Sequence, residues 1–306
     1  MSEEISNGNG LKLKVQEWLE KEGYSLEFLT ATAFEKQGFR VRQSENYLDE
    51  KNNIHREVDV LASLIHKLDD ETLFRITHVV ECKWSKDKPW VVFCSNGSNL
   101  SPAACIAQSV SSKFGNTLLW LMAADRDIYG SSHFLTPNTP GFSGRQALAN
   151  GKDLFYSAMQ NVTAASRLVG NYFDDSITKT PPDYAELVFP VVVVNGSLFQ
   201  AVYNDECEKI ELEETKHIRL HWDGSESSKF PSSVDIITSD YIDEFVTIRR
   251  QEARLIFESM EKSYNLVQRC IELKNISPLD NIRASRGFLG IPPMLREIRD
   301  QAKLNN

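Results

Sequence analysis

Arg56-Glu57-Val58-Asp59-Val60 and Val79-Val80-Glu81-Cys82-Lys83-Trp84 decide how this chain is read. Each sets acidic side chains in an apolar, β-branched run, where a buried charge is costly unless something compensates it. Side chains alternate along a strand, so Glu81 and Lys83 leave β-structure on the same side. If the strands over 57–65 and 73–83 form an antiparallel hairpin turning at Asp70, opposed residues have numbers that sum to 140. Asp59 then faces Glu81, and Glu57 faces Lys83. A one-residue slip would scatter this pattern to both faces.

Two carboxylates and an ammonium at one point suit a hard divalent cation. Mg²⁺ prefers oxygen ligands and is commonly held by one or two carboxylates together with substrate phosphate. Such an ion polarises a phosphodiester and acidifies a bound water. Lys83 either orients or deprotonates that water as a desolvated amine, or stays charged and stabilises the transition state. The competing reading of Asp59, Glu81 and Lys83 is an ion-pair cluster on a half-exposed sheet.

Working outward, the segment 11–22 reads as a helix ended by Gly23, after a polar, flexible leader over 1–10. A second helix spans 25–37, with Ser25 as its cap and Gly38 as its stop. Its core stripe is Leu26, Leu29, Ala33 and Phe34. The alternation in Phe39-Arg40-Val41-Arg42 gives a strand to about residue 47, followed by a polar turn over 49–53. Trp90-Val91-Val92-Phe93 adds a short extended piece. A helix is expected over 102–123, a surface loop over 126–143 and helix over 144–173. Val191-Val192-Val193-Val194, Asn195-Gly196 and Ser197-Leu198-Phe199 read as a hairpin with a type I′ turn. A further extended segment lies within 208–222, and a long helix covers 240–272.

The chain has 306 residues, of which 41% are hydrophobic and 25% charged, ordinary values for a globular protein. A formal net charge of −9 argues against indiscriminate nucleic-acid binding, although a local basic groove is still allowed. Five cysteines without a CxxC pair make a disulfide framework or a Cys-rich zinc site improbable. Cys82, Cys94 and Cys105 read as small core residues. No signal peptide or membrane-spanning run is seen, which gives a cytoplasmic expectation. No GxxxxGK[ST], HExxH, GxSxG or Rossmann glycine fingerprint occurs.

The order helix–Glu27, strand–Asp59, strand–Glu81-Cys82-Lys83 resembles the PD-(D/E)XK, restriction-endonuclease-like nucleases, and Glu-Cys-Lys is similar to their type IV and junction-resolvase-like branch. The resemblance covers about 23–93. It implies an α/β fold with an αβββαβ core, whose mixed central sheet is flanked by helices. That domain would span 11–234, with a helical and loop insertion at about 126–180 and a C-terminal helical extension over 235–306. It also implies Mg²⁺ or Mn²⁺ held by Asp59 and Glu81, with Lys83 and Glu27 completing the catalytic set. Val58 stands where the family often has proline. Gln108 lies where some branches carry a helical glutamine.

The expected activity is therefore metal-dependent nucleic-acid hydrolysis, with DNA favoured over RNA and restriction or defence as a bacterial setting. The alternative is a catalytically silent nuclease fold kept for binding or as a scaffold. Lys86, Lys88, Trp84 and Arg56 are the candidate nucleic-acid contacts, since cations grip phosphates and an indole stacks on a base. Arg40 and Arg42 are weaker candidates. A homodimer or a partner protein is compatible with duplex cleavage, which needs two cuts. His217 and His221 lack a third ligand and read as surface histidines, and Arg249, Arg250 and Arg254 read as a solvated helix face.

Overall fold

The computed structural model describes residues 2–21, 23–49, 54–85, 88–95, 105–106, 108–123, 126–133, 135–149, 151, 153–176, 178–222, 232–280 and 291–304. The chain is an α/β protein built on a mixed ten-stranded sheet. Helices α1 (Ser2–Lys21) and α2 (Tyr24–Lys36) lead into β1 (Arg40–Asp49), β2 (Ile54–Lys67), β3 (Leu73–Trp84) and β4 (Trp90–Cys94). Then come α3 (Lys113–Met122), α4 (Arg126–Ser131), β5 (Gly141–Gln146) and α5 (Leu154–Asn171). Strands β6 (Tyr184–Asn195), β7 (Leu198–Asn204), β8 (Lys209–Thr215), β9 (His217–Trp222) and β10 (Ser232–Thr238) follow. Helices α6 (Ile242–Glu272) and α7 (Pro293–Leu304) come next among the described residues.

The sheet order is β1-β2-β3-β6-β10-β9-β5-β4-β7-β8. Strands β1, β2 and β3 form an antiparallel meander, and β6 lies parallel to β3. The β2–β3 turn is an Asx turn, in which the Asp69 carboxylate accepts the backbone N–H groups of Glu71 and Thr72. It sets the register of the hairpin, and the pairs from Val60–Val80 to Lys67–Leu73 all sum to 140.

The valine run is buried on both faces, as parallel strands require, because helices cover both sides of such a sheet. This overturns the hairpin expected at Asn195-Gly196. Strand β6 takes β3 and β10 as partners, whereas β7 pairs with β4 and β8. The chain runs onward from β6 to β7 beside the β3-to-β4 connection, with Ser85 N–H bonded to the Asn195 carbonyl and Trp90 N–H to that of Ser197. A glycine is needed at 196 because a Cβ there would lie 2.6 Å from the Ser85 carbonyl oxygen.

One face of the sheet packs Phe34, Phe74, Phe189, Val191, Phe245 and Met260 into a core under α2, α3 and α6. The other face packs Val79, Val192, Trp90, Phe155 and Met159 under α5. The boundary expected at 235 therefore falls inside β10, and α6 shares its core with the sheet. Arg249, expected on a solvated face, is 1% exposed. Its guanidinium bonds His78 and Glu252 and lies 4.6 Å over the Phe189 ring. The charge is tolerated there because two guanidinium nitrogens meet polar partners and its face meets a π ring, although its third nitrogen, Nη2, is buried without a hydrogen bond among the described residues.

Other local expectations shift in ways the backbone explains. Helix α1 already begins at Ser2, inside the stretch read as a leader. The N-cap position of α2 is Gly23 at φ 90°, so Ser25 sits inside the first turn and does not cap it. Leu29 is exposed, while Thr30 and Ala31 turn inward beside Leu26, Ala33 and Phe34. Helix α3 begins at Lys113, where the Ser112 hydroxyl caps it by accepting Gly115 N–H. The loop expected over 126–143 contains α4 and the start of β5, and β5 joins the sheet beside β4. The polar turn expected over 49–53 lies for the most part outside the described residues.

Candidate active site

Strands β2 and β3 part at Val60–Val80, the last pair of their ladder toward the site. The β1–β2 ladder also skips a pair here, between Gln43–Val60 and Glu45–Val58, where Ser44 has φ 54°. On its other side β3 stays paired with β6 as far as Trp84–Asn195. The end of β3 is thus held rigidly while its β2-facing edge opens. Asp59 fills the opening, and its Oδ2 accepts the Cys82 N–H at 2.6 Å.

Glu81 is 5% exposed and projects toward α5, where Asn161 Nδ2 donates to its Oε1 at 3.1 Å. Lys83 bonds the same carboxylate oxygen. Arg56 donates to Asn161 Oδ1 at 2.9 Å, completing a chain Arg56–Asn161–Glu81–Lys83. Cys82 points to the opposite face, where its sulfur meets the Thr30 hydroxyl of α2 at 3.7 Å. Burial pushes its thiol well above the ordinary range, which makes it a packing residue.

The electrostatics follow from crowding. Burial and then the Glu81 charge raise the Asp59 carboxyl to about 7, against the pull of the Cys82 N–H and Lys83. Burial works against the Lys83 ammonium, but contact with Glu81 outweighs it and raises its pKa above the ordinary value. Lys83 is therefore a fixed cation in this state and not a free base. Glu27 is raised by burial and by Glu57, with Lys83 opposing, so it borders this group from α2.

Among the described residues no three His, Cys, Asp or Glu side chains are grouped to share an ion. Asp59 and Glu81, near enough for the Glu81 charge to raise the Asp59 pKa, are two carboxylates of the kind Mg²⁺ takes when water and substrate phosphate supply the remaining oxygens. A cation between them would offset both the burial and the Glu81 repulsion that hold Asp59 near neutrality. The donor set fits the ion on that ground, and Glu27 stands as a neighbour and not as a third ligand.

The flanking candidates divide. Trp84 is 38% exposed beside the site, and Lys88 is exposed. Lys86 lies outside the described residues. Trp90 is fully buried, its indole N–H bonded to the Ser85 hydroxyl. Arg40 and Arg42 are exposed, Arg42 pairing with Glu45 at 3.4 Å. Gln108 is buried and donates to the Ser233 carbonyl at 2.9 Å, so it ties its segment to β10. His217, expected on the surface, is largely buried and bonds Asp235, which Arg219 also grips.

Sequence reasoning missed Asn161. Its only trace is a polar residue set among Ala158, Val162 and Ala165 on an apolar helix face.

No protein-family model, curated protein or solved structure matches this chain. Among the described residues no helix is long and apolar enough to cross a membrane.

Proposed function

We propose that this chain is a divalent-metal-dependent nuclease with a restriction-endonuclease-like core, acting on DNA in preference to RNA. The observation that carries the reading is the meeting of Asp59, Glu81 and Lys83 where β2 and β3 part. A meander of three strands after α2, with β6 parallel to β3, supports the same core. In hydrolysis, water adds to phosphorus, one P–O ester bond breaks, and the departing alkoxide takes a proton.

Asp59 and Glu81 would hold the ion, which when bound polarises the phosphate and acidifies water. Lys83, kept charged by Glu81, stabilises the negative charge that grows on the phosphate oxygens. Asn161 and Arg56 fix the Glu81 carboxylate, so that little reorganisation is needed when substrate arrives. Glu27, at the border of the group, is available to order water.

Incubating the full chain with single- and double-stranded DNA and RNA, with and without Mn²⁺, tests this. The expected result is Mn²⁺-dependent cleavage that is lost in a folded Lys83→Ala variant. A folded wild type that cleaves none of the four substrates would leave the silent scaffold as the reading.

A further inference from the structure

A cavity of about 500 Å³ opens between α5 and the β1–β2 part of the sheet. Its walls come from the same elements as the site just described, at neighbouring positions. Ala165 stands one helical turn beyond Asn161, Tyr47 is the strand partner of Arg56, and Val58 directly precedes Asp59. The volume lies within the range of about 300–1,000 Å³ usual for small-molecule sites.

Its chemistry is specific. Tyr47, Tyr172 and Phe173 bring three aromatic rings to the lining. Tyr172 is 78% exposed and meets Phe173 edge-on at 4.8 Å, so its ring stands largely in solvent. Deeper in, Arg75 pairs with Glu186 at 3.3 Å, and Glu186 is 1% exposed. With Arg42 and Glu45 also lining it, the cavity carries two positive and two negative groups and is neutral overall. A neutral, aromatic-walled cavity with buried donors and acceptors suits an uncharged heteroaromatic ring better than a bare phosphate.

We propose that this cavity receives one unpaired nucleobase of the substrate strand, beside the phosphate at Asp59, Glu81 and Lys83. The proposal rests on the nuclease reading and narrows it to single-stranded or locally opened substrates, because a stacked, paired base cannot enter such a pocket. Aromatic stacking tolerates every base, so the pocket selects the unpaired state more than the sequence.

Calorimetric titration of the four deoxynucleoside 5′-monophosphates in EDTA tests it without any need for turnover. A fluorescein-labelled single-stranded 20-mer, followed by anisotropy in the same buffer, gives the polymer affinity. Leu168→Trp fills the cavity and Tyr172→Ala removes a ring; both positions are exposed, and circular dichroism checks the folds. The expectation is mononucleotide binding by the wild type, weakened at least about fivefold in Tyr172→Ala, in line with the loss of one stacking contact. Leu168→Trp should lose it by tenfold or more, and the 20-mer should follow.

Binding of that kind in a protein that cleaves no polymer would keep the base pocket and discard the nuclease reading. Lys83-dependent cleavage with no mononucleotide binding, or with both variants binding like wild type, would overturn the pocket and keep the nuclease.

Discussion

The Asp59 carboxylate accepts the backbone N–H of Cys82 at 2.6 Å across the gap where β2 and β3 separate. A side chain thus stands in for a missing strand partner. The same contact fixes Asp59 beside Glu81, so a structural bond and a chemical arrangement share one carboxylate.

Asp59 makes stability depend on pH and on metal together. Its pKa is 3.8 ordinarily and about 7 in the folded chain, so the folded state binds this proton more tightly than the unfolded one. The contribution is fully present below about pH 4 and is lost as pH rises through 7, by at most about 4 kcal/mol. Thermal melts should show Mn²⁺ raising Tm more at pH 8 than at pH 5.5. Asp59→Asn should flatten both trends; equal Mn²⁺ shifts at the two pH values would contradict the assignment.

Lys83→Ala should destabilise the metal-free protein as well as stop cleavage. It leaves Glu81, 5% exposed, with Asn161 but without its counter-charge. A loss of about 2–3 kcal/mol is expected in urea unfolding, below the full cost of breaking a buried pair because Lys83 is partly exposed. Added Mn²⁺ should recover part of that loss.

Asn161→Ala tests positioning and not chemistry. Its amide links Arg56 to Glu81, so removal frees the Glu81 carboxylate to rotate. Outer partners of metal-binding carboxylates are worth about 10–100-fold in affinity or rate. The variant should need a higher Mn²⁺ concentration for half-maximal activity while its melting temperature changes little. An unchanged Mn²⁺ curve would remove Asn161 from the site.

Asp235→Ala should be among the most damaging substitutions away from the site. Asp235 is fully buried, and Arg219 and His217 hold its carboxyl far below the ordinary range in spite of burial. Removing it takes the counter-charge from the Arg219 guanidinium, itself 1% exposed and left with its bond to the Cys105 carbonyl, at a cost of about 3–5 kcal/mol. Urea denaturation at pH 7 measures this.

Gly170→Ala should weaken the seat of α5. A Cβ there would lie 2.0 Å from the Val110 carbonyl oxygen, too close without a backbone shift. About 1–3 kcal/mol is the usual cost of such overpacking. The same shift would carry Asn161, so Mn²⁺ affinity and stability should fall together in this variant.

The β2–β3 hairpin was legible because two signals agree: apolar alternation and an acidic turn at Asp69-Asp70 set one register. The α2 stop at Gly38 was legible for a similar local reason, its φ of 79° being a glycine conformation. Asn195-Gly196 misled because a dipeptide signal for a tight turn says nothing about which strands are free to pair. Strand β6 was already paired on both edges. Arg249 misled because a charge pattern along a helix cannot reveal that His78, Glu252 and Phe189 close around one arginine.

By itself the amino-acid order determined the α/β class, the β2–β3 register and the residue types that gather at its open end. These depend on contacts between near neighbours in the chain and on the two-residue period of a strand. Only the tertiary structure decided that the ladder stops at Val60–Val80, that Asn161 reaches Glu81, and that Asp59 is held near neutrality. Each of these arises from groups brought together from distant parts of the chain in a medium that screens charge poorly, and no local pattern encodes that.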